Sequence, residues 1–419
     1  MKYLPRIADD YFRERLNSTG ALLIEGPKWC GKTTTAEQIC SSELYMQNPD
    51  ERESNMYYAT KMPSKLLEGE RPRLIDEWQI APVLWDAVRF AVDREKGRGM
   101  FILTGSAVPN LKEEEEEKMH SGTGRISRVR MHTMSLFESG ESDGSVSVSE
   151  LFDGRTNYYA KSDLSLERMS FIVCRGGWPA TIGMDERYSL RTAKDYVDSV
   201  STSDISRADG VMRDQYLARA LLASLARNVC TLADTTTIAE DLRNYATRKT
   251  VTEYISALRK IFVCEDIPAW RPSLMSKARL RLTPKRCFSD PSIAAAALNA
   301  TPEMLMKDHS AFGSIFESLC VRDLRAYLQP IDGTVMHYHD NTGLEADMIL
   351  ALDDGRWAAV EVKLHSGEDS AAESLLRIRK KTRTVSGIEP SFLAIITATG
   401  LFRVRDDGVL VIPIGCLGP

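Results

Sequence analysis

The sequence predicts an α/β protein. A parallel sheet with helices on both faces comes first, a mostly helical module follows, and a second α/β region ends the chain. Two observations predict the first part: short apolar runs alternate with segments of helical spacing, and several runs end in glycine-rich or acidic turns. One observation predicts the last part, because short strand-like runs return from Gly333 onward.

The spacing of apolar residues gives the individual elements of the first part. Short runs of apolar residues predict strands at 21–24, 74–75, 101–106 and 126–131. Apolar residues three or four positions apart predict helices at 32–40 and 85–93. Alternation of this kind is typical of a parallel sheet, because parallel neighbours need crossover connections.

The composition excludes several classes of protein. Of the 419 residues, 43% are apolar and 27% are charged, which is ordinary for a globular chain that buries a sizeable core. No apolar run is long enough to cross a membrane, so we expect no integral membrane protein. The N-terminus lacks the apolar stretch of a secretory signal. The eight cysteines include no Cys-x-x-Cys pair, which argues against a zinc ribbon and predicts a cytoplasmic location.

Residues 26–33 match the phosphate-binding pattern G-x-x-x-x-G-K-[ST], between a predicted strand and a predicted helix. Gly26 and Gly31 would let the backbone N–H groups face phosphates. Lys32 would place a cation against the β- and γ-phosphates, and the Thr33 hydroxyl would complete a Mg²⁺ shell. The alternative is a chance glycine-rich turn. The predicted nucleotide-binding residues are Gly26, Pro27, Lys28, Trp29, Cys30, Gly31, Lys32, Thr33 and Thr34.

An acidic pair ends the next predicted strand and fits the second half of such a site. Asp76 would hold Mg²⁺, and Glu77 would act as general base on the attacking water. The alternative is an exposed acidic turn. Thr104 or Ser106, at the end of a further strand, would orient the water or sense the γ-phosphate, unless both belong to a plain strand-to-loop turn. Arg125 would reach a phosphate in cis or in trans, or it is a structural surface residue.

In this order the motifs resemble those of prokaryotic AAA-type P-loop ATPases. The resemblance rests on residues 26–33, on Asp76-Glu77-Trp78-Gln79, on Leu103-Thr104-Gly105-Ser106 and on Gly124-Arg125. More narrowly, Arg175-Gly176-Gly177-Trp178-Pro179 looks like an element of the group whose P-loop domain precedes an uncharacterised C-terminal region. This resemblance implies ATP as the nucleotide, with a winged helix and a restriction-endonuclease-like domain in the C-terminal region. We expect a P-loop ATPase domain at 1–160, a helical linker or lid at 161–230, a winged-helix-like domain at 231–300 and a restriction-endonuclease-like domain at 301–419.

The middle segment predicts two helices joined by a tight turn, followed by a basic stretch. Apolar residues recur on one face of the second helix, from Val251 to Phe262. The stretch from Pro268 to Ser289 contains six basic residues and no acidic one, which suits the wing of a winged helix on a DNA backbone. The alternative is a helical module that packs on the ATPase, with its basic strand forming salt bridges. The predicted DNA-binding residues are Arg248, Lys249, Thr252, Arg279 and Arg281.

The C-terminal part predicts a charged hairpin. If Asp353-Asp354-Gly355 form its turn, Asp347 lies opposite Glu361, and Lys363 lies on the same face as Glu361. Asp followed by Glu-x-Lys is the pattern of restriction-endonuclease-like folds, in which carboxylates hold Mg²⁺ and the lysine steadies the water. Glu317, in a predicted helix, would add a carboxylate. The alternative is a cross-strand charge cluster without catalysis. The nearby histidines are predicted to be surface residues: His337, His339 and His365.

Two functions therefore stand as expectations. The first is Mg²⁺-dependent ATP hydrolysis coupled to DNA interaction, with or without nuclease activity. The second is a nucleotide-gated switch that binds DNA or protein and carries an inactive nuclease-like domain. The resemblance also implies a homo-oligomer, since AAA-type ATPases often complete their sites across subunits.

Overall fold

The computed structural model describes residues 3–107, 122–271 and 283–419. The chain forms two compact units. The first unit contains Met1–His132, Ser203–Met212 and Ala257–Phe262, and the second contains the rest of the chain. The four-part division predicted from the sequence is finer than these two units and stays a prediction.

The first unit contains a sheet of five strands, and every neighbouring pair is parallel. The strands are β1 (Ala21–Glu25), β2 (Ser42–Tyr45), β3 (Arg73–Asp76), β4 (Phe101–Gly105) and β5 (Ile126–Arg130). Their spatial order is β2-β3-β4-β1-β5. The parallel α/β sheet predicted from the sequence is therefore confirmed, and β4 separates the strand before the P-loop from the strand that ends in Asp76.

Side chains alternate between the two faces of this sheet along each strand, and both faces carry apolar side chains that are buried. In β1, Leu23 packs in a cluster with Trp85, whereas Leu22 packs in a second cluster with Phe12. The helices that carry these aromatic residues therefore cover opposite faces. Among the described residues before β4, the α-helices are α1 (Ala8–Ser18), α2 (Lys32–Glu37), α3 (Arg52–Lys61) and α4 (Val83–Glu95). The helix predicted at 32–40 ends at Glu37, because the chain turns there to enter β2 at Ser42.

The chain after β5 is mostly helical, as predicted. Several helices begin at an aspartate or serine whose side chain accepts a hydrogen bond from a backbone N–H of the first turn, which satisfies an otherwise free donor. The helices are α5 (Val148–Phe152), α6 (Leu166–Arg175), α7 (Glu186–Ser199), α8 (Ile205–Arg207), α9 (Gln215–Arg227), α10 (Thr235–Asp241), α11 (Arg248–Lys260), α12 (Pro291–Ala297), α13 (Pro302–Leu305), α14 (His309–Leu328) and α15 (Glu368–Ser386).

The Arg-Gly-Gly-Trp-Pro element at the end of α6 has a structural role in the second unit. Gly177 donates its N–H to the buried Asp290 carboxylate at 2.9 Å. A Cβ atom on Gly177 would lie 2.1 Å from the carbonyl oxygen of Met134, so only glycine fits there. Arg175 is buried and pairs with Glu141 at 2.5 Å. These contacts join three distant segments of the second unit and explain the element without a ligand.

The C-terminal sheet has six strands. Its central strands are almost fully buried, and α15 packs against this sheet. Two further pairs of short strands join residues near 146 and 161 to the C-terminal region. The strands are β6 (Val146–Ser147), β7 (Lys161–Ser162), β8 (Gly333–His339), β9 (Glu345–Leu352), β10 (Trp357–Lys363), β11 (Leu393–Thr397), β12 (Gly400–Leu401), β13 (Arg403–Val404), β14 (Leu410–Pro413) and β15 (Leu417–Gly418). The spatial order in the six-stranded sheet is β13-β14-β11-β10-β9-β8.

The two helices predicted in the middle segment are α10 and α11, and the predicted apolar face of α11 is buried. Short antiparallel pairs follow, between Cys264 and Phe288 and between Ile267 and Lys285. The winged-helix interpretation stays a prediction. One part of it is wrong, because Lys285 and Arg286 are buried and paired with carboxylates instead of facing DNA. Across the described ranges, no helix has the length and apolar character needed to cross a membrane.

Candidate nucleotide site and a second charged site

The P-loop, residues 26–33, leaves β1 and enters α2. A Cβ atom on Gly26 would lie 2.3 Å from the carbonyl oxygen of Met131, so the loop can follow this path only with glycine there. Gly31 has φ +102°, in the region that favours glycine. Trp29 is also left-handed, with φ 65°, and its side chain is 56% exposed. The predicted loop residues therefore adopt a tight turn at the carboxyl edge of the sheet, where ligands of open α/β folds bind.

Two cations hold the loop in place from inside. The Lys32 Nζ is buried and donates to the carbonyl oxygens of Gly26 at 3.0 Å and Pro27 at 2.9 Å. Arg6 donates to the carbonyl oxygens of Cys30 at 2.9 Å and His132 at 2.8 Å. The contribution of Arg6 was not predicted, because it lies outside any motif and reaches the loop only through the fold.

Two more predicted loop residues face away from this interior. Lys28 pairs with the largely buried Asp204 at 2.6 Å, a residue 176 positions later that belongs to the same unit. Thr34 is exposed on α2, and its carbonyl oxygen accepts a hydrogen bond from Gln38. Lys28 is therefore engaged by a carboxylate, and Asp204 is a second neighbour of the loop that local sequence patterns did not reveal.

The carboxylate of Asp76 is the centre of the predicted Mg²⁺ site and is fully buried. Its Oδ1 accepts hydrogen bonds from the hydroxyls of Thr33 and Thr104, each at 2.6 Å. Gln47 contacts Oδ2 at 3.4 Å. The three residues that the sequence placed on separate elements, Thr33, Asp76 and Thr104, therefore meet at one oxygen atom.

Glu77 follows directly and has a strained backbone, with φ 53° in a non-glycine residue. Its N–H donates to the Thr104 hydroxyl at 3.2 Å, and its carboxylate accepts from Ser106 at 3.0 Å and from Gln79. These contacts hold the carboxylate at the end of β4, next to Asp76. Backbone strain of this kind is frequent at functional sites, because the surrounding contacts must compensate for it.

Arg125 does not lie at this site. Its backbone carbonyl accepts from the N–H of Ala21, at the start of β1, whereas the P-loop follows the end of β1. Five residues of strand separate the two positions by about 15 Å. The guanidinium pairs with Asp93 at 2.8 Å. The prediction that Arg125 reaches a phosphate in cis is therefore wrong, since the register places it at the opposite edge of the sheet. A role in trans stays a prediction.

The second charged site lies on the β9–β10 hairpin, whose register is as predicted. Leu352 donates its N–H to the carbonyl of Arg356 at 2.9 Å, and Gly355 in the turn has φ +92°. The paired residues run from Ala351 and Trp357 to Met348 and Val360. One step further, the Asp347 carboxylate accepts the N–H of Val362 at 2.8 Å, which places it beside Glu361.

Five side chains at this site form a row of alternating charge, here called the charged row: Glu317, Lys285, Asp347, Lys363 and Glu361. The Lys285 Nζ donates to Glu317 and lies 3.5 Å from Oδ1 of Asp347. The Lys363 Nζ lies 4.0 Å from the other Asp347 oxygen and 2.8 Å from Oε2 of Glu361. Lys285 was not predicted here. No local sequence pattern indicates it, because Lys285 reaches the row from a segment paired with Ile267.

Burial shapes the electrostatics of the row. Burial, with the Asp347 carboxylate nearby, raises the pKa values of Glu317 and Glu361. Burial alone would lower the pKa of Lys285, but the carboxylates of Glu317 and Asp347 outweigh it and raise that pKa. In the ranges that the structure describes, no three His, Cys, Asp or Glu side chains are grouped to hold a metal ion. Each carboxylate of the row contacts a lysine instead.

The predicted DNA-binding residues at the start of α11 are exposed. Arg248, Lys249 and Thr252 lie within its first two turns, and the Lys249 Nζ lies 4.0 Å from Oε1 of Glu253. Arg279 and Arg281 lie outside the described residues. Of the predicted surface histidines, His337 is instead buried on β8, where a ring nitrogen lies 3.2 Å from the carbonyl oxygen of Thr283.

Three family models match successive parts of the chain. Residues 18–139 match a family described as AAA domain. Residues 166–304 and 312–417 match two domains of unknown function, DUF8612 and DUF4143. The first match and the site geometry support a P-loop ATPase domain at the N-terminus. The other two describe regions without giving them an activity.

Three individual proteins are similar to this chain at low identity. Two proteins named as uncharacterized, Rv2008c of Mycobacterium tuberculosis and Mb2031c of Mycobacterium bovis, are each 22% identical over 355 residues, which is 84% of this chain and 72% of theirs. A solved structure, the Walker-type ATPase PABY2304 of Pyrococcus abyssi, is 11% identical with a TM-score of 0.42, covering 70% of this chain and 96% of that one.

Proposed function

We propose that the first unit binds ATP with Mg²⁺ and hydrolyses it. The observation that carries this proposal is the meeting of Thr33, Asp76 and Thr104 at one carboxylate oxygen, beside the P-loop. A phosphate-binding loop next to a buried acidic residue is the arrangement that phosphoryl transfer requires. The match of residues 18–139 to the AAA domain family supports the same proposal. The preference for ATP over GTP rests on two arguments. The AAA domain family implies ATP, and the sequence has no apparent Asn/Thr-Lys-x-Asp element for reading guanine.

The residues present fit a magnesium ion. Hydroxyl and carboxylate oxygens are the ligands Mg²⁺ prefers, and the ion is usually held by few protein ligands together with phosphates. The Thr33 hydroxyl and Asp76 Oδ1 are 2.6 Å apart, so both can face one cation directly or through water. When bound, the ion would neutralise the charge that develops on the phosphate oxygens.

The chain's own groups would supply the remaining chemistry. Lys32 would leave the carbonyl oxygens of Gly26 and Pro27 for the β- and γ-phosphates, where a fixed cation lowers the transition-state energy. Glu77 would accept a proton from the attacking water. Ser106 and Thr104 hold the side chain and the backbone of Glu77, so they would aim this base.

Equilibrium binding tests the nucleotide site. We expect ATP with Mg²⁺ to bind the wild-type protein and Lys32→Ala to lose this binding, because the substitution removes the buried cation that the motif directs at phosphate. Lys65→Ala is the matched control, since Lys65 is an exposed lysine of the same unit paired with Glu68. Equal ATP affinity of Lys32→Ala and the wild type would contradict the proposal. Parallel titrations with GTP test the choice of nucleotide.

We further propose that the start of α11 contacts the DNA backbone. Two exposed cations and a hydroxyl lie together there, and phosphate contacts from such groups position a protein on DNA. The competing proposal is that this surface contacts a protein. Titration of labelled duplex DNA at several salt concentrations separates the two. Salt-dependent binding that weakens in Arg248→Ala supports DNA contact, and absence of binding at low salt contradicts it.

The charged row favours a second candidate function, metal-dependent DNA cleavage, because the Asp347–Glu361–Lys363 geometry matches the predicted nuclease pattern. The ammonium groups of Lys285 and Lys363 lie between the carboxylates, at positions where a metal ion could bind. The carboxylate oxygens therefore fit a divalent ion that displaces one of the two ammonium groups. Asp347 and Glu361 would hold the ion. Incubation of plasmid and branched DNA with Mg²⁺ or Mn²⁺ tests cleavage, with Asp347→Asn as the inactive control. ATP-dependent DNA binding without products would favour the switch.

A further inference from the structure

Lys285 is the residue of the charged row whose place no motif explains. It belongs to the 283–289 segment, which pairs through Ile267, and not to the β9–β10 hairpin that carries the nuclease pattern. Its side chain is only 10% exposed, whereas that of Lys363 is 27% exposed. A buried ammonium must keep anionic partners, because an unpaired charge in the interior is strongly unfavourable. Lys285 is therefore a fixed part of this site.

The contacts of Lys285 are those that a metal ion would make. Its Nζ donates to a carboxylate oxygen of Glu317 and to the backbone carbonyl oxygen of Asp347 at 3.2 Å, and it lies 3.5 Å from Oδ1 of Asp347. Two carboxylates and a carbonyl are typical oxygen ligands of divalent cations. An ammonium cannot share this position with a second cation, because like charges at such distances repel.

We propose that Lys285 is a built-in counter-cation that occupies the position between Glu317 and Asp347 and competes with divalent metal there. Glu317 then anchors Lys285, and a metal ion can enter only from the side of the more exposed Lys363, between Asp347 and Glu361. The charged row therefore holds at most one divalent ion in the wild-type protein. The proposal rests on the metal binding proposed above for this row.

Manganese binding tests the proposal directly. Free Mn²⁺ is measured by electron paramagnetic resonance during titration of protein that carries Asp76→Asn, so that the nucleotide site does not contribute. We expect Lys285→Met in this background to bind Mn²⁺ at least tenfold more tightly than the background alone, or to bind one more ion. The gain should vanish when Asp347→Asn is added. Lys381→Met is the matched control, because Lys381 pairs with Asp340 at 2.5 Å in the same unit, and it should leave Mn²⁺ affinity unchanged.

The outcomes separate this inference from the metal-binding function. Tighter Mn²⁺ binding by Lys285→Met than by the background protein supports the inference. Mn²⁺ binding by Lys285→Met alone also supports the inference, but it contradicts the proposal that the wild-type charged row binds metal. Equal or weaker binding in Lys285→Met overturns the inference and leaves the metal site standing. No binding in either protein overturns both. If Lys285→Met fails to fold, Lys285→Met with Glu317→Gln, which is neutral at both positions, is compared with Glu317→Gln alone, and the double variant should bind more tightly.

Discussion

The hydroxyl of Thr104 links the two acidic residues of the nucleotide site, and its removal should uncouple them. It donates to Oδ1 of Asp76 at 2.6 Å and accepts from the N–H of Glu77 at 3.2 Å. Thr104→Val replaces this fully buried hydroxyl by a methyl group of similar size. Loss of a hydrogen bond to a charged group costs about 1.5–3 kcal/mol, and the Glu77 N–H, which is half-buried, loses its partner as well. We expect the free energy of unfolding to fall by about 2 kcal/mol.

In Thr104→Val, the rate of ATP turnover should fall by a larger factor than the affinity for ATP. The Glu77 backbone is strained and held by this hydroxyl, so its carboxylate should lose its aim at the water when the hydroxyl is absent. A loss of about 1.4–2.7 kcal/mol in transition-state stabilisation corresponds to a decrease of about 10- to 100-fold in kcat. ATP hydrolysis, ATP affinity and thermal unfolding are measured for Thr104→Val and for Thr104→Ser, which retains the hydroxyl. A folded Thr104→Val protein with wild-type kcat would refute this reasoning.

Three further predictions concern other parts of the chain. Arg125→Ala should keep ATP affinity within about twofold of the wild type and the free energy of unfolding within about 1 kcal/mol of it, because Arg125 makes an exposed pair with Asp93. If Arg125→Ala instead loses ATP turnover, and mixing with Glu77→Gln protein restores it, Arg125 acts in trans. Burial and the Lys285 ammonium lower the pKa of His337 from 6.5 to about 4. The folded protein therefore favours the neutral ring, and the free energy of unfolding should be about 2 kcal/mol lower at pH 5 than well above pH 6.5. Denaturation at pH 7 and pH 5 should show this loss in the wild type but not in His337→Gln. For DNA binding, Lys249→Ala should reduce the slope of log affinity against log salt by about one, and an unchanged slope would place this residue off the DNA.

The sequence predicted those parts of the first unit that depend on local pattern. The P-loop lies in its motif, and strands such as β1 follow from short apolar runs. Contacts between distant segments were not predictable from pattern. Arg6 contacts the loop from the segment before α1. Asp204 reaches Lys28 from 176 residues away because the chain returns to the first unit. The strained backbone of Glu77 likewise depends on contacts with β4 that a single strand does not specify.

The same distinction explains the second unit. The hairpin register that brings Asp347 beside Glu361 follows from counting residues on both sides of a turn, and it was predicted. The basic stretch after α11 was interpreted by composition alone. Composition does not show which basic side chains form ion pairs with carboxylates inside the fold. Lys285 and Arg286 form such pairs, with Glu317 and Asp266. A buried lysine and an exposed one look alike until the partner segments are known.

Single-turnover hydrolysis of ATP by wild-type protein and Glu77→Gln tests the central claim most directly. With Mg²⁺ and enzyme in excess over radiolabelled ATP, the wild type should release phosphate. Glu77→Gln should bind ATP with similar affinity and release at least 100-fold less phosphate over the same time, since the base is removed while Lys32, Thr33 and Asp76 are retained (about 2.7 kcal/mol). Wild-type rates of phosphate release by Glu77→Gln would contradict the assignment of hydrolysis to this site.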